Sequence, residues 1–238
     1  MALSDAKVSV AAPGATESAL RIFCALRRHV WFKSMGTAAF MLVFFRAYFY
    51  LLRDPAGPVT TMPLTALDRW IGFQPWALPI YLSLWVYVSL PVALMSSRRE
   101  IVGYGLRVGA LCLAGLGVFY VWPTKVPPVI LDWALYPDFS ILRGIDAAGN
   151  ACPSLHVATA VFTGCWLNWM APALGFGTRL RFVNWLWCAA IVYSTMATKQ
   201  HVAIDALAGT LLGASVAWVF RPRAFCRFAG AGDDAARP

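Results

Sequence analysis

The sequence predicts an all-α, polytopic membrane protein, a six-transmembrane-helix bundle with a candidate site on its outer face. Three observations predict it. Hydrophobic residues make up 60% of the 238, and the mean hydropathy is +0.63. Only 13% are charged, where a soluble domain carries roughly a quarter. Six apolar runs follow one another, with basic residues gathered at alternate ends. The net charge of +9 is therefore read as topology and contact with anionic lipid, with no nucleic-acid partner.

Taken in order, residues 1–20 are small and polar and read as a disordered tail, not as a signal peptide. Arg21, Arg27, Arg28 and Lys33 punctuate apolar residues and predict a basic interfacial helix over 21–33. Span 1 covers 31–52 and is interrupted by Arg46, which either snorkels to the interface or turns into the bundle. In the loop 53–74, Thr65 caps a short surface helix in which Asp68 and Arg69 balance. Span 2 covers 76–95; its Pro79 and Pro91 are tolerated where neighbours satisfy the freed carbonyls. A basic turn at Arg98-Arg99 leads to span 3, 103–122, whose glycines suit close helix contacts.

The loop 123–152 has the length of a lid or binding loop, with Trp133, Leu135, Tyr136 and Phe139 placed to rest on the bilayer surface. Span 4 covers 154–170. A basic turn with Arg179 and Arg181 precedes span 5, 182–197, and span 6 covers 202–220. One membrane domain, 21–220, thus lies between the tails 1–20 and 221–238. The six cysteines show no metal spacing and read as small apolar fillers. Cys152 stands apart because it adjoins the first of two polar motifs.

Those motifs are Pro153-Ser154-Leu155-His156 and Lys199-Gln200-His201-Val202-Ala203-Ile204-Asp205. Each opens a long apolar segment, and together they hold two of the three histidines. The i, i+4 spacing of His201 and Asp205 puts both on one face of a helix. A carboxylate beside an imidazole sets its tautomer and makes the other nitrogen more basic. In the first motif, Pro-Ser opens a helix whose free amide groups form an anion site. Ionisable groups at membrane depth are functional candidates by default.

Orientation follows from the basic ends. The N-terminal segment, both basic turns and the C-terminal tail share one side, the cytoplasm. Loops 53–74, 123–152 and 198–201 share the other. This gathers Lys125, Arg143, Ser154, His156, Lys199, His201 and Asp205 on the outer face of a cell (inner) membrane. The chemistry suggested is a nucleophilic His201 oriented by Asp205, with His156 moving protons. Lys199, Lys125 and Ser154 with its neighbouring amides would hold phosphate oxygens.

At these residues the chain resembles the type 2 phosphatidic acid phosphatase superfamily. Pro153-Ser154-Leu155-His156-Val157-Ala158 is similar to the second signature of the branch that includes inositol phosphorylceramide synthase, where many phosphatases have Pro-Ser-Gly-His. Ser194, His201 and Asp205 match the third signature. Thr195 stands where Arg is usual, and Thr198-Lys199-Gln200-His201 matches the branch. Pro123-Thr124-Lys125-Val126-Pro127-Pro128 occupies the place of the first signature, with only its Lys present; Arg143 is a candidate for the missing cation. The resemblance covers roughly residues 36–220. It implies a lipid phosphate substrate, a phosphohistidine intermediate, and no metal or other cofactor. Water as acceptor would make the protein a lipid phosphatase; a lipid hydroxyl would make it a phosphotransferase. Two other classes stay open on the residues alone: a zinc enzyme using His156, His201 and Asp205 as ligands, and a non-catalytic lipid-binding protein.

Overall fold

A computed structural model describes residues 15–139 and 149–222. The tails, and Arg143 with its surrounding loop, lie outside the described residues. Helix α1 (Ala15–Arg27) and α2 (Val30–Arg53) come first. Both α1 and its start at Ala15 fall differently from the sequence reading, which placed residues up to 20 in a tail and ran one helix from 21 to 33. The chain breaks at His29, whose φ is 57°. Lys33 belongs to α2, and its Nζ donates to Ala25 O and Ala93 O, each at 2.7 Å. Both acceptors lie in the last turn of a helix, where carbonyls lack intrahelical partners. One buried ammonium thus ties two helix ends together.

After α2 come strand β1 (Thr60–Thr61), helix α3 (Ala66–Trp70), and a segment in two pieces, α4 (Leu78–Leu82) and α5 (Leu84–Leu94). The break falls at Ser83, whose hydroxyl donates to Ile80 O at 2.6 Å. Helix α6 (Arg98–Val121) and strand β2 (Thr124–Lys125) follow, then α7 (Leu155–Met170), α8 (Thr178–Ala197) and α9 (Ala203–Val219). Among the described residues, three segments are long and apolar enough to cross a membrane: Val30–Arg53, Pro75–Leu94 and Arg98–Val121. Helix α9 is apolar but shorter. Arg46 is exposed on α2.

Helix α7 is the central element. It is buried on nearly every side, from Leu155 to Met170, as expected of a helix apolar all round. It packs against α5, α6, α8 and, most extensively, α9. The contact with α9 is close because Gly209 and Gly213 face it. A Cβ on Gly209 would lie 2.3 Å from Ser154 O, and one on Gly213 2.3 Å from Ala158 O. Both neighbours are backbone and cannot rotate away. Small residues one turn apart bring two apolar helices together where side-chain burial alone gives no preference over lipid. Gly213→Ala is accordingly expected to destabilise the protein by about 1–3 kcal/mol. Gly117→Ala, with nothing within 4 Å of the added carbon, is expected to leave stability unchanged or slightly raised. Thermal unfolding of the two variants in the same detergent checks this.

The loops between the helices are joined as well. Strands β1 and β2 pair in parallel, Thr60 with Thr124 and Thr61 with Lys125, and Lys125 also bridges to Gly149. Trp133, Tyr136 and Phe139 meet Phe73 edge-to-face, with Phe139 packed on Leu78 and Tyr81. They form an aromatic plug over the start of α4, whereas the sequence reading laid them on the bilayer surface; Leu135 alone of that set is strongly exposed. Edge-to-face contacts add to what each ring gains by burial, and Phe73 offers that contact to all three.

Candidate active site

The two motifs meet at one end of the α7–α9 pair. Ser154 is the N-cap of α7; its Oγ accepts from Val157 N at 3.2 Å. Its own N–H donates to Asp205 O at 3.1 Å. That backbone bond, with the Gly209 contact one turn on, locks the first motif to the second. Ser154 is fully buried, so its hydroxyl serves the helix start.

His201 is held in a tight turn. Helix α8 ends with Gln200 N donating to Thr195 O at 3.0 Å and Lys199 N to Met196 O at 3.1 Å. This is the paired pattern of a left-handed helix terminus. Lys199 occupies the left-handed position, φ 61°, usually taken by glycine. His201 N then donates to the same Thr195 O at 3.1 Å. Thr195, which stands where the superfamily has Arg, thus contributes its carbonyl to the turn, and its hydroxyl bonds back to Val192 O.

Asp205 is the third residue of α9, and its Oδ2 folds back to accept from Val202 N at 3.1 Å. That same oxygen lies 3.7 Å from His201 Nδ1. His201 itself precedes the helix. The pair is therefore brought together by the helix cap and not, as the spacing alone suggested, by one helix face. A separation of 3.7 Å exceeds a hydrogen bond, and catalytic contacts in ligand-free structures are often long in this way. His201 Nδ1 and Asp205 Oδ1, both buried, make no hydrogen bond among the described residues. Burial, and then the neighbouring Asp205 charge, push the Cys152 thiol up to about 11, so Cys152 stays protonated beside the carboxylate.

His156, on the first turn of α7, stacks on Tyr81 with ring centroids 4.0 Å apart and meets the edge of Trp85 at 6.3 Å. Its Nε2 lies 3.3 Å from Tyr81 O. A carbonyl only accepts, so this contact places a proton on Nε2. Both histidines and Asn150 line one cavity of about 720 Å³, whose other walls are largely apolar side chains of α2, α5 and α6. His156 and Thr159 are the half-open positions between Leu155 and Gly164 on α7.

The remaining sequence-predicted residues are placed differently. Lys199 Nζ donates to Asp68 O at 3.0 Å and to Ile71 O. Burial lowers its pKa, and Asp68 opposes that shift. Lys125 is exposed on β2 and does not line the cavity. Arg143 lies outside the described residues. Among the described residues, no group of three His, Cys, Asp or Glu side chains is placed to share a metal ion. Sequence reasoning missed Asn150, which is buried, has φ 51°, and donates from Nδ2 to Tyr48 O at 3.0 Å. Its place three residues before the first motif is the only signal the sequence carried.

Neither a curated protein nor a solved structure matches the chain. A profile of the PAP2 superfamily matches residues 108–226, half of the 238, including the histidine of each motif and Asp205. With the motif residues assembled on α7 and α9 inside that region, the chain belongs to the PAP2 superfamily.

Proposed function

We propose that the protein is a six-span membrane enzyme that removes or transfers the phosphate of a lipid at the outer face of the membrane. The observation that carries this reading is the shared cavity. His156 and His201 stand at one end of a largely apolar slot between helices, which suits a polar headgroup joined to hydrocarbon. Superfamily membership supports phosphatase or phosphotransferase chemistry.

His201 Nδ1 faces Asp205, so Nε2 is the nitrogen left to attack phosphorus. As the P–N bond forms, the P–O bond to the lipid breaks, and His156 gives the leaving oxygen its proton. In the second step an acceptor hydroxyl loses a proton to His156 and attacks phosphorus, and the P–N bond breaks. The equatorial oxygens are held by amides of the first turn of α7, with Arg143 as the cation assigned to them. Lys199 acts through the turn that carries His201, which its ammonium ties to the Asp68 and Ile71 carbonyls. No metal or other cofactor enters these steps. Lys199→Ala is expected to lose most activity, and Lys199→Arg, which keeps the charge but not the ammonium geometry, to retain part of it. Exposed Arg69→Ala serves as the control, assayed at equal protein.

The acceptor separates two forms of the reading. Water gives a lipid phosphatase; a lipid hydroxyl gives a headgroup transferase like inositol phosphorylceramide synthase, which the Leu155 branch signature favours. Purified protein assayed on a panel of lipid phosphates, for both phosphate release and transfer to lipid hydroxyls, decides between them. Neither product on any member of the panel would leave the non-catalytic lipid-binding alternative. For the topology, a cysteine placed at Asp138 in a background without reactive native cysteines is expected to react with an impermeant thiol reagent outside intact cells, and one at Ser97 to stay unlabelled. Labelling at Ser97 would invert the orientation.

A further inference from the structure

Asp68 has more partners than a surface capping residue needs. Its Oδ2 accepts from Thr65 N at 2.8 Å and Thr65 Oγ1 at 2.7 Å, the capping box that starts α3. In an isolated surface helix the other oxygen faces water. Here Asp68 is 5% exposed, and Oδ1 accepts from Ala203 N at 2.7 Å, the first amide of α9. The same residue's backbone carbonyl accepts from Lys199 Nζ. Lys199 and Ala203 bracket Gln200, His201 and Val202. Asp68 therefore grips the turn that carries His201 on both sides, across more than a hundred residues of sequence. Gln74 reinforces the same junction: its N–H donates to Ala197 O and its Oε1 accepts from Tyr193 OH, both at 2.9 Å.

We infer that Asp68 is a positioning residue, a latch from the outer loop that holds the His201 turn in register with Asp205. The inference rests on the reading of His201 as nucleophile. Both Asp68 oxygens are engaged by donors, so Asn cannot replace it: an amide satisfies one partner and sets N–H against N–H at the other. Charge on α9's N-terminus is lost as well. The latch can also be severed from the opposite side. Ala203 is the first residue of α9, and Val202 before it is extended, φ −99°, ψ 165°. Proline fits that position, so Ala203→Pro removes the amide that Asp68 accepts without touching Asp68.

The test compares full-length wild type, Asp68→Asn, Ala203→Pro and, as control, Arg69→Ala. Two readouts are taken: steady-state kinetics on the lipid phosphate turned over by the wild type, and amide hydrogen exchange of the peptide covering 198–206. Both latch variants are expected to lose kcat by about 10–100-fold with KM little changed, since misplacement of a reacting group by about an ångström costs on that order. Exchange is expected to quicken in 198–206 while peptides of α6 and α7 keep wild-type protection, which a general loss of stability would not allow. Unchanged exchange in both variants would overturn the latch. Quickened exchange with wild-type kcat would overturn its role in positioning, and a raised KM at constant kcat would make Asp68 a substrate contact instead. A wild type inactive on every lipid phosphate would count against the proposed function, and exchange alone would then judge the latch.

Discussion

His201→Ala is expected to abolish turnover. Among the described residues, no other side chain beside the cavity is both nucleophilic and paired with a buried carboxylate. Loss of a single acid–base group costs roughly 10²–10⁴-fold, whereas loss of the atom that bonds phosphorus leaves no route through the same intermediate. His156→Ala is expected to leave a slow first step. The check is a single-turnover experiment with labelled lipid phosphate: label stays on His156→Ala protein and is absent from His201→Ala protein. If His201→Ala kept more than about a hundredth of the wild-type rate, the nucleophile would lie elsewhere.

Asp205→Asn is expected to cost about 10²–10⁴-fold in kcat with little change in KM, for a reason specific to this cap. Val202 N–H needs an acceptor and takes the amide oxygen. That oxygen is also the one that faces His201 Nδ1, so the contact keeps its acceptor and loses its charge. Without the carboxylate, the positive charge that develops on the ring as it takes phosphorus is less stabilised. The check is single-turnover labelling of the protein by labelled lipid phosphate, which is expected to slow in the variant. A variant that takes up label and turns over at the wild-type rate would remove the role assigned to the Asp205 charge. Stability should change little, because the α9 cap survives in the variant.

Most of the helices were legible because their signals are local. Apolar runs bounded by charge or proline identify a helix whatever surrounds it, and the observed α2, the segment Pro75–Leu94, α6, α7, α8 and α9 lie within a few residues of the predicted spans. The N-terminal helix was misread because its break at His29 depends on where Lys33 finds carbonyls, and those belong partly to α5. Ser83 likewise divides span 2 without a local composition shift.

The site divides in the same way. Residue types and spacing sufficed to single out His156, His201 and Asp205, since a Lys, a His and an Asp at the mouth of an apolar segment are rare in a chain 13% charged. The nature of the His201–Asp205 contact was decided by tertiary structure: a helix begins between them, and a cap brings them together. So were the destination of Lys199, which is turned toward α3, and the importance of Asp68, whose balance with Arg69 in the sequence concealed a buried oxygen reaching α9. Sequence by itself determined which segments are apolar and which ionisable groups stand at their ends, because hydropathy and local spacing are properties of neighbouring residues. Only the fold decided which of those groups face the cavity and which hold the backbone, because a long side chain can reach any carbonyl or amide that packing brings within its length.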